Sequence, residues 1–167
     1  MMNKTMQMTK TATRTLVWMG LLVGMSAVGA LIKIPSPFGT VAFDSCPGYF
    51  AALAMGGWQG AVVIAAGHLL TSALSGFPMS LPMHLALALV MALLALLFRL
   101  VGRKGSVPSL AAAVVLASLG NSFVAALLVL PVGGWALYFA YIPSLLVGGI
   151  ANTLVAALVY RALRSQL

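Results

Sequence analysis

The sequence predicts an all-α fold: a polytopic membrane protein built as a compact bundle of about six transmembrane helices, one domain over residues 1–167. Hydrophobic residues make up 62% of the chain, charged residues only 6%, and the mean hydropathy is +1.11. A water-soluble surface cannot be assembled from so few polar side chains. Clusters of Pro and Gly cut the chain into apolar runs close to the roughly 20 residues that a helix needs to cross a bilayer.

Residues 1–13 are polar and basic and are expected to form a cytoplasmic segment, with no small-residue cleavage site closing an apolar run of signal-peptide length. Helix 1 is expected over about Thr15–Ile34, ended by "PSPFG", because Pro disfavours helix in the residue before it. Residues 35–46 then form an irregular connection. Helix 2 is short, starting near Pro47 and closing at "GGWQG", since Pro is welcome in a first helical turn and Gly at a helix end. Helix 3 is expected over about Trp58–Ser75, ended by "SGFPMSLP", and helix 4 over about Pro82–Val101, ended by "GRKG". Helix 5 runs from about Pro108 to Leu130, where Pro131, Gly133 and Gly134 break it. Helix 6 covers about Leu137–Leu163 and is long enough to project past the hydrocarbon. Cys46 is the lone cysteine, which excludes an intrachain disulfide and a cysteine metal cluster.

Charge sets the expected topology. Lys4, Lys10, Arg14, Arg99, Arg103, Lys104, Arg161 and Arg164 fall on one side of this helix pattern, and of the nine basic residues only Lys33 falls on the other. The basic side is the cytoplasmic one, so both termini are expected inside a bacterial cytoplasmic membrane. The net charge of +8 then reports topology, with anionic lipid headgroups rather than nucleic acid as the partner.

The outer connections, "KIPSPFGTVAFDS", "SGFPMSLP" and "PVGGWALYF", carry most of the Pro, Gly and aromatic variety. Irregular backbone survives near membrane depth only where protein or a wet cavity satisfies it, so an outward cavity is expected. Asp44, the single acidic residue, lies on that side at the approach to helix 2. His68, Thr71, Ser72 and Ser75 share one face of helix 3, and His84 sits just inside the outer end of helix 4. Helices 5 and 6 add Asn121, Tyr141 and Asn152, and Phe43 and Trp135 add aromatic surface. Ionisable groups within a membrane usually face a bundle interior or water, so Asp44, His68 and His84 are expected to contact a ligand, with the amides and aromatics around them.

Each of these residues has a plainer alternative. Thr71, Ser72 and Ser118 are expected to pack helices, Trp135 and the tyrosines fit an interfacial belt, and Asp44 is also placed to pair with Lys33 or cap helix 2. Asp44 with two histidines superficially suggests a membrane-embedded enzyme, yet no H-E-x-x-H or comparable metal pattern is present, and no metal site is expected. G-x-x-x-x-G-K-[ST] is absent too, so the chain has no phosphate cradle of its own; no cofactor is expected in it, and any ATP is expected to be used by partner subunits.

Basic inner ends, an irregular first outer connection and a ladder of small residues on helix 1 together resemble the substrate-binding S components of energy-coupling factor (ECF) vitamin transporters. The resemblance covers essentially the whole chain. In that family small residues spaced by four on helix 1 form a face for the transmembrane coupling subunit, and Gly20 and Gly24, continued by Ala27, look like that motif with glycine substituted. The resemblance implies a transport subunit rather than an enzyme. It captures a small-molecule substrate from outside, works with a coupling subunit and two ATPase subunits, and closes its first outer loop, with Pro35, Pro37 and Gly39, as a gate. The strings "IPSPFGTVAFDSCPGYFAALAMGG" and "GHLLTSALSGFPMSLPMH" are also similar to S components assigned to α-ribazole, a benzimidazole riboside of cobamide salvage. With Lys33 the sole outer cation, solutes bearing several carboxylates or phosphates are disfavoured and a neutral or weakly basic heteroaromatic is expected.

Overall fold

The computed structural model describes residues 4–36 and 39–166. In chain order it contains α1 (Lys4–Gly29), β1 (Lys33–Ser36), β2 (Gly39–Ala42), α2 (Cys46–Ala54), α3 (Gly57–Leu74), α4 (Leu81–Gly102), α5 (Val107–Leu119) and α6 (Leu130–Leu163). Between α5 and α6 the helix widens to π form over Gly120–Val124 and tightens to 3-10 form over Ala125–Val129.

Pro in the first turn opens α2, α4 and α5 as the sequence implies, because its missing N–H has no helical partner there. Buried Tyr49, Leu53, Ile64, Leu94 and Phe98 form the main core with small residues of α5 and α6, and Tyr49 meets Phe98 edge-on at 5.0 Å. The close approach of α2 to α3 depends on glycine: a Cβ at Gly48 would overlap Ile64, and one at Gly60 would overlap Ala52. Arg99 donates to the Leu53 carbonyl at 2.6 Å, turning one of the basic residues into a cap for the end of α2.

Several expectations are corrected. The all-α class holds for the bundle but not for the first connection, where β1 and β2 pair antiparallel with Lys33 opposite Ala42 and Pro35 opposite Thr40. A two-stranded ribbon has only edge strands, which is why Pro35 is tolerated in it. Helix 1 ends at Gly29 rather than Ile34, because the chain turns there onto the Phe43 backbone and a Cβ on Gly29 would overlap the Phe43 carbonyl. The helix also begins at Lys4, inside the stretch expected to be a separate N-terminal segment. Pro37 lies outside the described residues.

The spans differ as well. Among the described residues, the stretches long and apolar enough to cross a membrane are Ala12–Gly29, Leu81–Gly102 and Val107–Leu163. The last contains 57 residues, roughly 85 Å if it were one straight helix, nearly three bilayer cores. Gly134 breaks it, with φ 60° and ψ −160°, a conformation available essentially only to glycine. α2, at nine residues, covers only about 14 Å and cannot cross alone. Six full-length spans are therefore more than these elements supply. Gly134→Ala is expected to destabilise the protein by about 1–3 kcal/mol, read as a lowered thermal midpoint in detergent; an unchanged midpoint would mean that the turn does not need this conformation.

Candidate functional site

A cavity of about 490 Å³ opens at the end of the bundle where α1 and α3 finish and α4 begins. This volume suits a vitamin-sized solute. Arg99, Arg103, Lys104, Arg161 and Arg164 lie at or near the opposite helix ends.

Asp44 sits in the short link between β2 and α2. Its Oδ1 accepts from the Ser45 hydroxyl at 2.9 Å and its Oδ2 from the Thr71 hydroxyl at 2.9 Å. Two hydroxyl donors on an acceptor-only group describe a carboxylate satisfied by its neighbours. His68, one turn before Thr71 on α3, brings Nδ1 to 3.9 Å from Asp44 Oδ2. Across the α3–α4 turn, His68 Nε2 lies 3.2 Å from His84 Nδ1, and the Ser72 hydroxyl lies 3.0 Å from that same Nδ1 and 3.4 Å from His68 Nε2. Asp44, His68, Ser72 and His84 thus form one continuous polar chain along the cavity wall. Among the described residues, no three of His, Cys, Asp and Glu are placed to hold one metal ion.

α5 and α6 supply the facing wall. The π segment carries Asn121, whose Nδ2 donates to the Leu145 carbonyl at 3.2 Å, and π turns of this kind recur at functional sites. Tyr141, Ser144 and Asn152 follow along α6.

Asn152 has a different task from the ligand contact expected of it. Its Oδ1 accepts from the backbone N–H groups of Ser45 at 3.0 Å and Cys46 at 2.7 Å. Its Nδ2 donates to the carbonyls of Ala42 at 3.2 Å and Gly148 at 2.9 Å. Those four bonds use the whole capacity of a carboxamide. Asn152 lines the cavity, but as a latch that ties β2 and the start of α2 to α6.

The structure brings together Asp44, His68, His84, Asn121, Tyr141 and Asn152 in one lining and leaves out Phe43 and Trp135. Trp135 is 62% exposed, next to the rings of Tyr138 and Phe139 at 5.4 and 6.1 Å, an arrangement suited to an interfacial belt. Phe43 is half-buried, and its carbonyl is what closes against Gly29. Thr71 and Ser72, expected to pack helices, instead line the cavity and bind Asp44 and His84; their three- and four-residue spacing from His68 was the signal for this. Ser118 does pack, bonding Thr153 at 3.0 Å across α5 and α6. Tyr49 and Lys33 also line the cavity, and nothing in their local sequence marks Tyr49 for it. The hairpin is anchored at Ala42 by Asn152, beside the cavity.

On α1, Gly20 and Gly24 are exposed, and a Cβ on either would meet nothing within 4 Å. Leu16, Val17, Leu21, Met25 and Val28 surround them as exposed apolar side chains, whereas Ala27 is half-buried and turns partly toward the bundle.

A family model described as the substrate-specific component of ECF transporters matches residues 14–163. Comparison with curated proteins gave no match. Among solved structures, the chain is similar to the S component of a bacterial ECF transporter, with 25% identity and a TM-score of 0.75 over 92% of this chain and 97% of that one.

Proposed function

The chain belongs to the family of substrate-specific components of ECF transporters, and on that premise we propose that it captures a small neutral or weakly basic heteroaromatic solute from outside, α-ribazole being the best candidate. The observation that carries this reading is the cavity itself: one carboxylate, two imidazoles and a ring of hydroxyls and amides, with Lys33, among the described residues, the only cation in its lining. A polyanionic solute would need more positive charge than one side chain supplies. A ring bearing hydroxyl or N–H groups finds Met79, Leu87, Met91 and Tyr49 for its faces and Asp44, the histidines and Asn121 for its edges.

In this reading the β1–β2 hairpin, with Pro35 and Gly39, serves as the gate, and the basic bundle end faces the cytoplasm with both termini. The exposed Gly20 and Gly24 face, backed by Leu21 and Met25, receives the transmembrane coupling subunit, which the two ATPase subunits drive.

The test is a binding panel on the purified full-length chain in lipid nanodiscs, using labelled α-ribazole, other vitamins and nucleosides. Saturable stoichiometric binding of a heteroaromatic without turnover is the expected result; no saturable binding across the panel would sink the reading. Gly24→Leu should leave that binding intact but reduce co-purification with a coupling subunit at least tenfold, because a leucine would hold the two helices apart. Undiminished co-purification would remove the α1 face from the interface.

A further inference from the structure

We propose that Lys33 selects and orients the solute by charge: the end turned toward the hairpin bears a single anionic group or an uncharged oxygen acceptor, and never a cation. This inference deepens the capture reading and rests on it. Lys33 lines the cavity from β1, where it stands opposite Ala42, and the Ala42 carbonyl is held by Asn152. The lysine thus enters the lining from a strand whose pairing partner is tied to α6.

Topology does not account for a cation here. Basic residues gather on the cytoplasmic side of a membrane protein, and the other eight of this chain fall toward the bundle end away from the cavity. Pairing within the chain does not account for it either. Asp44 is the only acidic side chain in the sequence, so Lys33 has no other side-chain carboxylate to meet. Asp44 lines the same cavity, yet its oxygens accept from the Ser45 and Thr71 hydroxyls, and the group that approaches it as an ion-pair partner is His68, at 3.9 Å. Among the described residues Lys33 makes no ion pair. An ammonium offers three donors and no acceptor, so what complements it is an oxygen brought from outside the protein.

Opposite charges that share one lining without pairing give the cavity a polarity, and low-dielectric walls focus such a field. A neutral or weakly basic heteroaromatic then lies with its N–H or basic nitrogen toward Asp44 and His68 and its oxygen-bearing substituent toward Lys33. A cationic group at the hairpin end meets a like charge and finds no second carboxylate to answer it.

The experiment titrates three probes into the full-length chain in phosphatidylcholine nanodiscs. Each is benzimidazole with a two-carbon arm on one ring nitrogen, ending in a hydroxyl, a carboxylate or an ammonium. The parent should bind the carboxylate probe more tightly than the ammonium one. Lys33→Gln, which keeps a donor and removes the charge, should weaken the carboxylate probe about fivefold or more and leave the hydroxyl probe within about twofold. Lys33→Arg should retain the parent order, and Lys33→Glu should invert it for the two charged probes. Equal losses on all three probes, or the parent order surviving in Lys33→Glu, would overturn the proposal. The order should be the same in maltoside micelles, which carry no phosphate; an order seen only there would assign the lysine to a lipid headgroup and overturn it too. Probes that bind the parent without any order would remove the role of Lys33 and leave capture standing. A parent that binds none of the three would also overturn the proposal, and the vitamin panel then decides separately whether capture fails.

Discussion

Asp44→Asn is expected to weaken solute binding by about 10- to 100-fold while leaving the protein folded, because hydrogen bonds to charged groups contribute about 1.5–3 kcal/mol each. The shape of the side chain is preserved and Ser45 keeps an acceptor, but the amide nitrogen cannot accept from Thr71. The charge that faces His68 Nδ1 is also lost, so that imidazole is no longer held to carry its proton there. Isothermal titration with the solute retained from the panel measures the effect, and a thermal melt confirms folding. Unchanged affinity would show that the carboxylate neither contacts nor orients anything the solute touches. A compensating pair sharpens the result: Thr71→Val removes one donor to Asp44 while keeping its charge, and should cost roughly tenfold or less.

Asn152→Leu is expected to be the most damaging substitution to stability. Four partners lose their bonds at once, and Ser45, whose N–H is one of them, is buried. Stranding buried backbone groups costs about 1–3 kcal/mol each, so a loss of about 2–5 kcal/mol is expected after partial rehydration. Thermal unfolding in detergent, followed by tryptophan fluorescence, reads this loss. Asn152→Asp should fall between: its oxygens still receive the Ser45 and Cys46 N–H groups, but it faces the Ala42 and Gly148 carbonyls without a donor. If both variants melt like the parent, the latch contributes nothing. Because the latch fixes both the base of the hairpin and the residue after Asp44, the surviving fraction should also bind solute poorly. A cysteine at position 40, in a Cys46→Ala background, should lose its solute-dependent protection from an external thiol reagent when Asn152 is replaced. Protection equal to that of the parent latch would separate the hairpin from Asn152.

Much of this protein is legible in its sequence, and the reasons are local. Apolar runs, Pro82 and Pro108 at helix starts and the basic residues at one end follow from solvation and backbone sterics, which need no tertiary contact to act. The His68, Thr71 and Ser72 stripe is equally local, since helical spacing alone puts those residues on one face. Boundaries at Gly29 and Leu119 were not legible. One depends on the Phe43 carbonyl packing against α1, and the other on a π turn fitted against Leu94. The hairpin escaped because "KIPSPFGTVA" contains Pro and Gly that argue against a strand unless it is an edge, and only the assembled chain decides that.

The sequence by itself determined the solvent in which this chain lives, its scarcity of charge and the helical faces on which its polar groups fall, because each depends on composition or on the pitch of one helix. Tertiary structure decided what those groups do. Asp44 and Asn152 are more than a hundred positions apart and both bond Ser45, yet they meet different kinds of group: hydroxyls and an imidazole for one, four backbone groups for the other. A carboxamide spends itself on whichever donors and acceptors the fold brings near, and an imidazole takes its tautomer from the neighbour it faces, so neither role is written in the residue type.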